Sequence, residues 1–167
     1  MKLKLLAFIG LVIVASISFA KELTVKSGSS IQTVINQAKD GDTILVEPGY
    51  YHESIYVDKQ NITLKGLQKD GKYAHMDGQS KLNDGIIASG HGIIIDGFKV
   101  TGYKGNAIMT QGANNFKISN NLIHAAFYGI FPQFGKNGLV EGNTISGADD
   151  AAIYVGMCDH INVIGNT

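Results

Sequence analysis

From Ile95 onward the sequence repeats itself with a period of roughly 23 residues, a length that marks a stack of similar units. Ile95-Asp96-Gly97-Phe98-Lys99-Val100 aligns with Ile118-Ser119-Asn120-Asn121-Leu122-Ile123, then with Val140-Glu141-Gly142-Asn143-Thr144-Ile145, then with Val163-Ile164-Gly165-Asn166-Thr167. The shared pattern is a branched apolar residue, any residue, Gly or Asn, Asn, any residue and a second branched apolar residue. A further column, Ile86, Ile108, Ile130 and Ile153, keeps the same spacing. Residues 62–67 fit the same template one longer turn ahead of residues 93–98. The surplus of that turn falls in 68–81, which shows no apolar period and reads as a loop bulging from the stack.

Each repeat holds strands of only three to five residues, too short for a stable sheet alone. Alternation turns Ile93 and Ile95, or Phe116 and Ile118, to one side. Stacking equivalent strands about 4.8 Å apart buries those sides and pairs the backbone groups. Gly or Asn at the bend suits a positive φ. Asn121, Asn143 and Asn166 then lie one above another, and their amides can donate and accept along the axis. Phe98 and Leu67 fill that slot in earlier turns, so the ladder starts apolar and becomes amide. One helix precedes the repeats, over residues 29–39. Ile31, Val34, Ile35 and Ala38 form its apolar stripe. Ser29 with Gln32 fits a capping box, and Gly41 is its stop. Strands are expected at 43–46, 54–57 and 62–64.

Residues 1–20 read as a secretory signal peptide, with Lys2 and Lys4, an apolar run over 5–14, and Ser18-Phe19-Ala20 at the cleavage site. That run is short against the ~20 residues a membrane span needs, and no later run is long enough. The expected product is one periplasmic or secreted domain, residues 21–167. All 14 basic residues are lysines, and 12 remain after the leader against 14 acids. Such a balance gives no basic face for nucleic acid. A single Cys excludes an internal disulfide framework and a zinc-finger-type cluster. With 21 glycines and 2 prolines, the chain is rich in tight turns rather than linkers.

Ser30-Ile31-Gln32, Gly41-Asp42-Thr43-Ile44, Pro48-Gly49-Tyr50-Tyr51 and Ile62-Thr63-Leu64-Lys65-Gly66, together with residues 147–155, resemble right-handed parallel β-helix proteins of the pectate-lyase-like superfamily. The resemblance implies an all-β fold: a right-handed single-stranded parallel β-helix, with the short helix plugging its first turn. It fixes no activity, because the superfamily includes lyases, hydrolases, esterases, epimerases and non-enzymes. No matching cap is visible at the other end, where such coils need one. The expectation is a C-terminally incomplete β-helix, or an end that stacks on a partner.

The outward neighbours of the Ile86 column are Ile87, Met109, Phe131 and Tyr154, an apolar and aromatic ribbon flanked by Ser89, Gln111 and Gln133. The turns leading into it carry Lys104, His124, Phe127, Tyr128, Asp149 and Asp150. Aromatic faces beside amides and charges suit sugar chains. Met109, Gln111, Phe131, Gln133 and Tyr154 are therefore the expected substrate-binding residues. The opposing expectation is a ribbon covered by residues 68–81 or by a further C-terminal segment. The resemblance implies lyase chemistry on uronates, with Lys104 as base and calcium on Asp149 or Asp150. A uronate epimerase would instead use His124, Tyr128 and Asp150. Gly90-His91-Gly92 and Asp149-Asp150 resemble two polygalacturonase motifs, but in reversed order and without that family's Arg-Ile-Lys, so hydrolysis is disfavoured. Adjacent aspartates in extended chain also point to opposite faces. Met157-Cys158-Asp159-His160 has ligand types that suit copper, although four consecutive residues cannot all face one ion.

The functional expectation is an exported protein that binds or modifies an acidic polysaccharide, as a lyase or an epimerase. The alternatives are a non-catalytic scaffold that uses the ribbon as a protein contact, and a periplasmic copper-handling protein.

Overall fold

The computed structural model describes residues 20–167. The expected leader lies outside the described residues except for Ala20. The elements in chain order are β1 (Glu22–Val25), α1 (Ile31–Gln37), β2 (Thr43–Val46), β3 (Gly49–Tyr51), β4 (Ile55–Val57), β5 (Thr63–Gly66), β6 (Gln68–Lys69), β7 (Lys72–Asp77), β8 (Ile86–Ala88), β9 (Ile94–Asp96), β10 (Lys99–Thr101), β11 (Asn106–Gln111), β12 (Lys117–Ser119), β13 (Leu122–Gln133), β14 (Lys136–Glu141), β15 (Thr144–Ile153) and β16 (Asp159–Ile164).

The strands stack as a parallel solenoid. One face is a seven-stranded sheet, β1-β2-β5-β9-β12-β14-β16. The second face stacks β3, β7, β10 and the start of β13 and β15; the third stacks β4, β8, β11 and the end of β13 and β15. β13 and β15 are long because each runs around the corner between those two faces. The expected register holds: Leu64, Ile95, Ile118, Val140 and Val163 pair in sequence on the first face. Ile86, Ile108, Ile130 and Ile153 do so on the third. The inward members fill one core, with Ile86, Ile108, Ile130, Ile93, Ile95 and Ile118 all at 0% exposure.

The bends explain the Gly/Asn column. Gly97, Asn120, Gly142 and Gly165 all have φ between 55° and 79°, a region that Gly and Asn reach most easily. Immediately after each of the last three bends comes a ladder asparagine. Asn121 Nδ2 donates to Asn143 Oδ1 at 2.9 Å, and Asn143 Nδ2 donates to Asn166 Oδ1 at 2.9 Å. Each Oδ1 also accepts the backbone N–H of the preceding coil, from Phe98, Asn121 and Asn143, at 3.0 Å.

Two expectations need correction. The helix is shorter than residues 29–39, and its N-cap is Ser30, whose hydroxyl accepts from Thr33 N–H. The capping carboxylate comes from Glu53, which accepts from Ile31 N–H at 2.7 Å, Gln32 N–H at 3.2 Å and the Ser30 hydroxyl at 2.9 Å. Gln32 instead exchanges two hydrogen bonds with the Tyr56 backbone. Residues 68–81 are not all loop. β6 and β7 form a hairpin through Asp70 and Gly71, both at positive φ as a two-residue turn of type I′ requires. β7 then enters the second face beside β3 and β10, burying Ala74 and Met76.

Candidate functional site

The third face carries the ribbon. Tyr56, Ile87, Met109 and Phe131 stand in register on four neighbouring coils, and Tyr154 follows Ile153, the partner of Ile130. Five side chains at four strand spacings make a track of about 19 Å. Tyr56 is 48% exposed and Tyr154 46%, while Ile87, Met109 and Phe131 are half-buried. Of the segment 68–81, residues 74–77 pair on the neighbouring face with β3 and β10. Gln111 and Gln133 pair at its edge.

At one end of the ribbon the aromatics gather. Tyr128 stacks on Tyr154 with ring centroids 5.1 Å apart and planes 18° apart. Phe131 lies 5.1 Å from each of them, and Phe127 meets Tyr128 edge-on at 4.7 Å. Gly156 permits this packing, since a Cβ there would come within 2.7 Å of the Phe131 ring. The Tyr128 pKa is raised, first by its hydrogen bond with Asp150, then by burial and the Asp150 charge.

The remaining expected site residues divide. Lys104 and Asp149 line one shallow hollow of about 270 Å³ with Ser80, Gly102 and Tyr103. His124 does not join them. It sits on the second face, paired with Thr101 and Ser146, and its Nδ1 lies 3.0 Å from the Ser146 hydroxyl. Asp149 and Asp150 are exposed, and no cluster of three His, Cys, Asp or Glu that could hold a metal occurs among the described residues. Nor do the copper-type residues converge. The Cys158 thiol faces the backbone of Gly135 and Gly156, Met157 is 75% exposed, and His160 Nδ1 pairs with Asp159 at 2.7 Å. His160 occupies a positive-φ turn column with Asn115 and Asn137.

Sequence reasoning overlooks Tyr56. The signal is present, because Ile55 precedes Ile86 by the same offset that separates 62–67 from 93–98, which puts Tyr56 beneath Ile87.

Residues 51–167 match the family described as right handed beta helix region. A cell surface glycoprotein of Methanothermus fervidus is 33% identical over 114 residues, which are 67% of this chain and 18% of that protein. The chain therefore spans under a fifth of that relative. A crystal structure of a candidate glycosyl hydrolase from Parabacteroides merdae superposes with a TM-score of 0.63, at 11% identity, over 90% of this chain and 80% of that one. At that identity the likeness shows the fold alone. An alginate lyase from Paenibacillus gives a TM-score of 0.49 at 13% identity, over 87% of this chain and 75% of that one.

Proposed function

We propose that this chain, which belongs to the right-handed β-helix family through residues 51–167, binds polysaccharide outside the cell along its aromatic ribbon. The observation that carries this reading is the surface cluster of half-buried Tyr128 and Phe131 with exposed Tyr154, with mutual ring distances of 5.1 Å. Sugar rings present apolar C–H faces that pack on such rings, while Gln111 and Gln133 supply amides for hydroxyls. The likeness to a cell surface glycoprotein supports an outer location. Binding along the ribbon fits the geometry better than epimerisation there, because His124 stands on another face from Tyr128. Lys104 and Asp149, the expected lyase pair, share a hollow whose lining includes none of Tyr128, Phe131 and Tyr154.

The test is affinity electrophoresis through gels containing pectate, alginate or neutral galactan. Retardation by at least one polysaccharide is expected, and the Phe131→Ala/Tyr154→Ala double variant should run freely with unchanged circular dichroism. Incubation with pectate and alginate, with and without calcium, should yield no unsaturated product absorbing in the ultraviolet. Free migration of the unaltered chain in every gel would remove the reading and leave the ribbon as a protein contact.

A further inference from the structure

We infer that a second pocket, on the second face and lined by Tyr50, Lys72, Tyr73, His75 and Lys99, binds a sugar ring that carries a negatively charged group. The pocket has a volume of about 400 Å³, within the range of small-molecule sites. It exists because of the β6–β7 hairpin. The tight turn at Asp70-Gly71 starts β7 two residues before its pairing with β3, so Lys72 and Tyr73 stand beyond the edge of β3. Tyr50, His75 and Lys99 are in register on three successive coils. Their side chains therefore form a row about 4.8 Å apart.

The chemistry of the lining is one-sided. Lys72 and Lys99 both face the pocket, and no Asp or Glu lines it. Neither lysine makes an ion pair among the described residues. Glu47 and Asp70 line an adjacent hollow that shares Lys72. Tyr50 is 69% exposed, with its ring 4.9 Å from His75 and 6.5 Å from His52, so much of its aromatic surface is open to a ligand rather than packed in the core. His75 Nε2 lies 2.7 Å from the Thr101 hydroxyl. Burial, and then Lys99, hold the His75 pKa low, so at neutral pH the imidazole is a hydrogen-bonding group without charge. Two cations, an exposed aromatic face and a neutral imidazole match a pyranose with a carboxylate or sulfate better than a neutral sugar or a bare anion. The ribbon differs in kind, with Asp149 and Asp150 at its margin. This inference does not rest on the ribbon reading, since the two lie on different faces and have different partners.

The test is titration of the isotopically labelled chain with trigalacturonate, a sulfated galactose trimer, neutral galactotriose and inorganic sulfate, followed by amide shifts. Trigalacturonate or the sulfated trimer should move Tyr50, His75 and Lys99, and whichever binds identifies the anion. Lys72→Ala/Lys99→Ala should weaken that binding about tenfold or more, as should Tyr50→Ala. Phe131→Ala/Tyr154→Ala should leave these shifts in place, which separates failure of the pocket from failure of the ribbon. Because the substituted side chains line an open pocket, an unchanged amide spectrum elsewhere reports that the fold is kept; Lys99→Gln serves if it is not. Absence of shifts at the pocket with both anionic trimers overturns the inference. So does neutral galactotriose binding as tightly, or inorganic sulfate matching the trimers.

Discussion

Replacing Asn143 by Ala tests the axial ladder most directly. Asn143 is 1% exposed. Its Oδ1 accepts from Asn121 N–H at 3.0 Å and from Asn121 Nδ2 at 2.9 Å. Its Nδ2 donates to Asn166 Oδ1 at 2.9 Å and to Ile118 O at 3.0 Å. Alanine leaves two donors of buried Asn121 without their acceptor. Each unsatisfied buried group costs about 1–3 kcal/mol, and partial relaxation places the sum near ~3 kcal/mol. Asn166 Oδ1 likewise accepts from Asn143 N–H and Nδ2, but Asn166 is half-buried and water can reach the donors its removal frees, so Asn166→Ala should cost about 1 kcal/mol. A phenylalanine at 143 should not rescue the loss, although Phe98 occupies the same column. Phe98 follows Leu67, which presents no side-chain amide to it, whereas a residue at 143 follows Asn121. Urea unfolding followed by far-ultraviolet circular dichroism measures the difference, and exchange of the Asn121 amide should quicken about a hundredfold. A loss under about 0.5 kcal/mol at Asn143, or equal losses at 143 and 166, would refute a ladder that works by satisfying buried amides in sequence.

Three further outcomes are expected. Glu53→Ala removes the acceptor of two N–H groups at the start of α1 and should destabilise the first coils by about 1–2 kcal/mol, seen as faster exchange of the Ile31 and Gln32 amides. Asp42 accepts from the Lys39 and Lys21 backbone N–H groups at 2.8 Å each, which lowers its pKa below the ordinary 3.8. A lowered pKa contributes stability that is complete above the ordinary value and is lost as pH falls through the folded value. The stability gap between the unaltered chain and Asp42→Asn should therefore be constant from neutral pH down to about pH 4 and shrink below it, as urea midpoints across an acid series will show. Asp150→Asn should bring the Tyr128 pKa down toward the ordinary tyrosine value, measured by ultraviolet difference titration. An unmoved titration would mean that Asp150 does not hold the phenol.

Much of this architecture is legible in the residues because stacking makes sequence distance and spatial neighbour the same quantity. Ile118 and Val140 pair because they are one turn apart, and so do Asn121 and Asn143. What stays hidden is set by contacts that the period does not encode. The carboxylate capping α1 comes from Glu53, a full turn away from Ser30, and no local pattern at Ser29 or Gln32 announces it. β7 is concealed because its two inward residues, Ala74 and Met76, are flanked by Lys72, His75 and Asp77, so a hydropathy reading sees a polar loop. Asp70-Gly71 is the available clue, a dipeptide suited to a two-residue hairpin turn. His124 and Tyr128 share an approach to the ribbon in sequence, but the corner within β13 sends them to different faces.

The coil between Leu64 and Ile95 is longer than each of its successors, yet Thr63 and Leu64 still pair with Ile94 and Ile95 as squarely as any other rungs. Surplus chain leaves sideways, through the hairpin, and returns without altering the rise. The length of this molecule is thus counted in windings and its girth in residues per winding, and the two vary independently. Outgrowths of different size and chemistry can be carried on a spine whose pitch never changes.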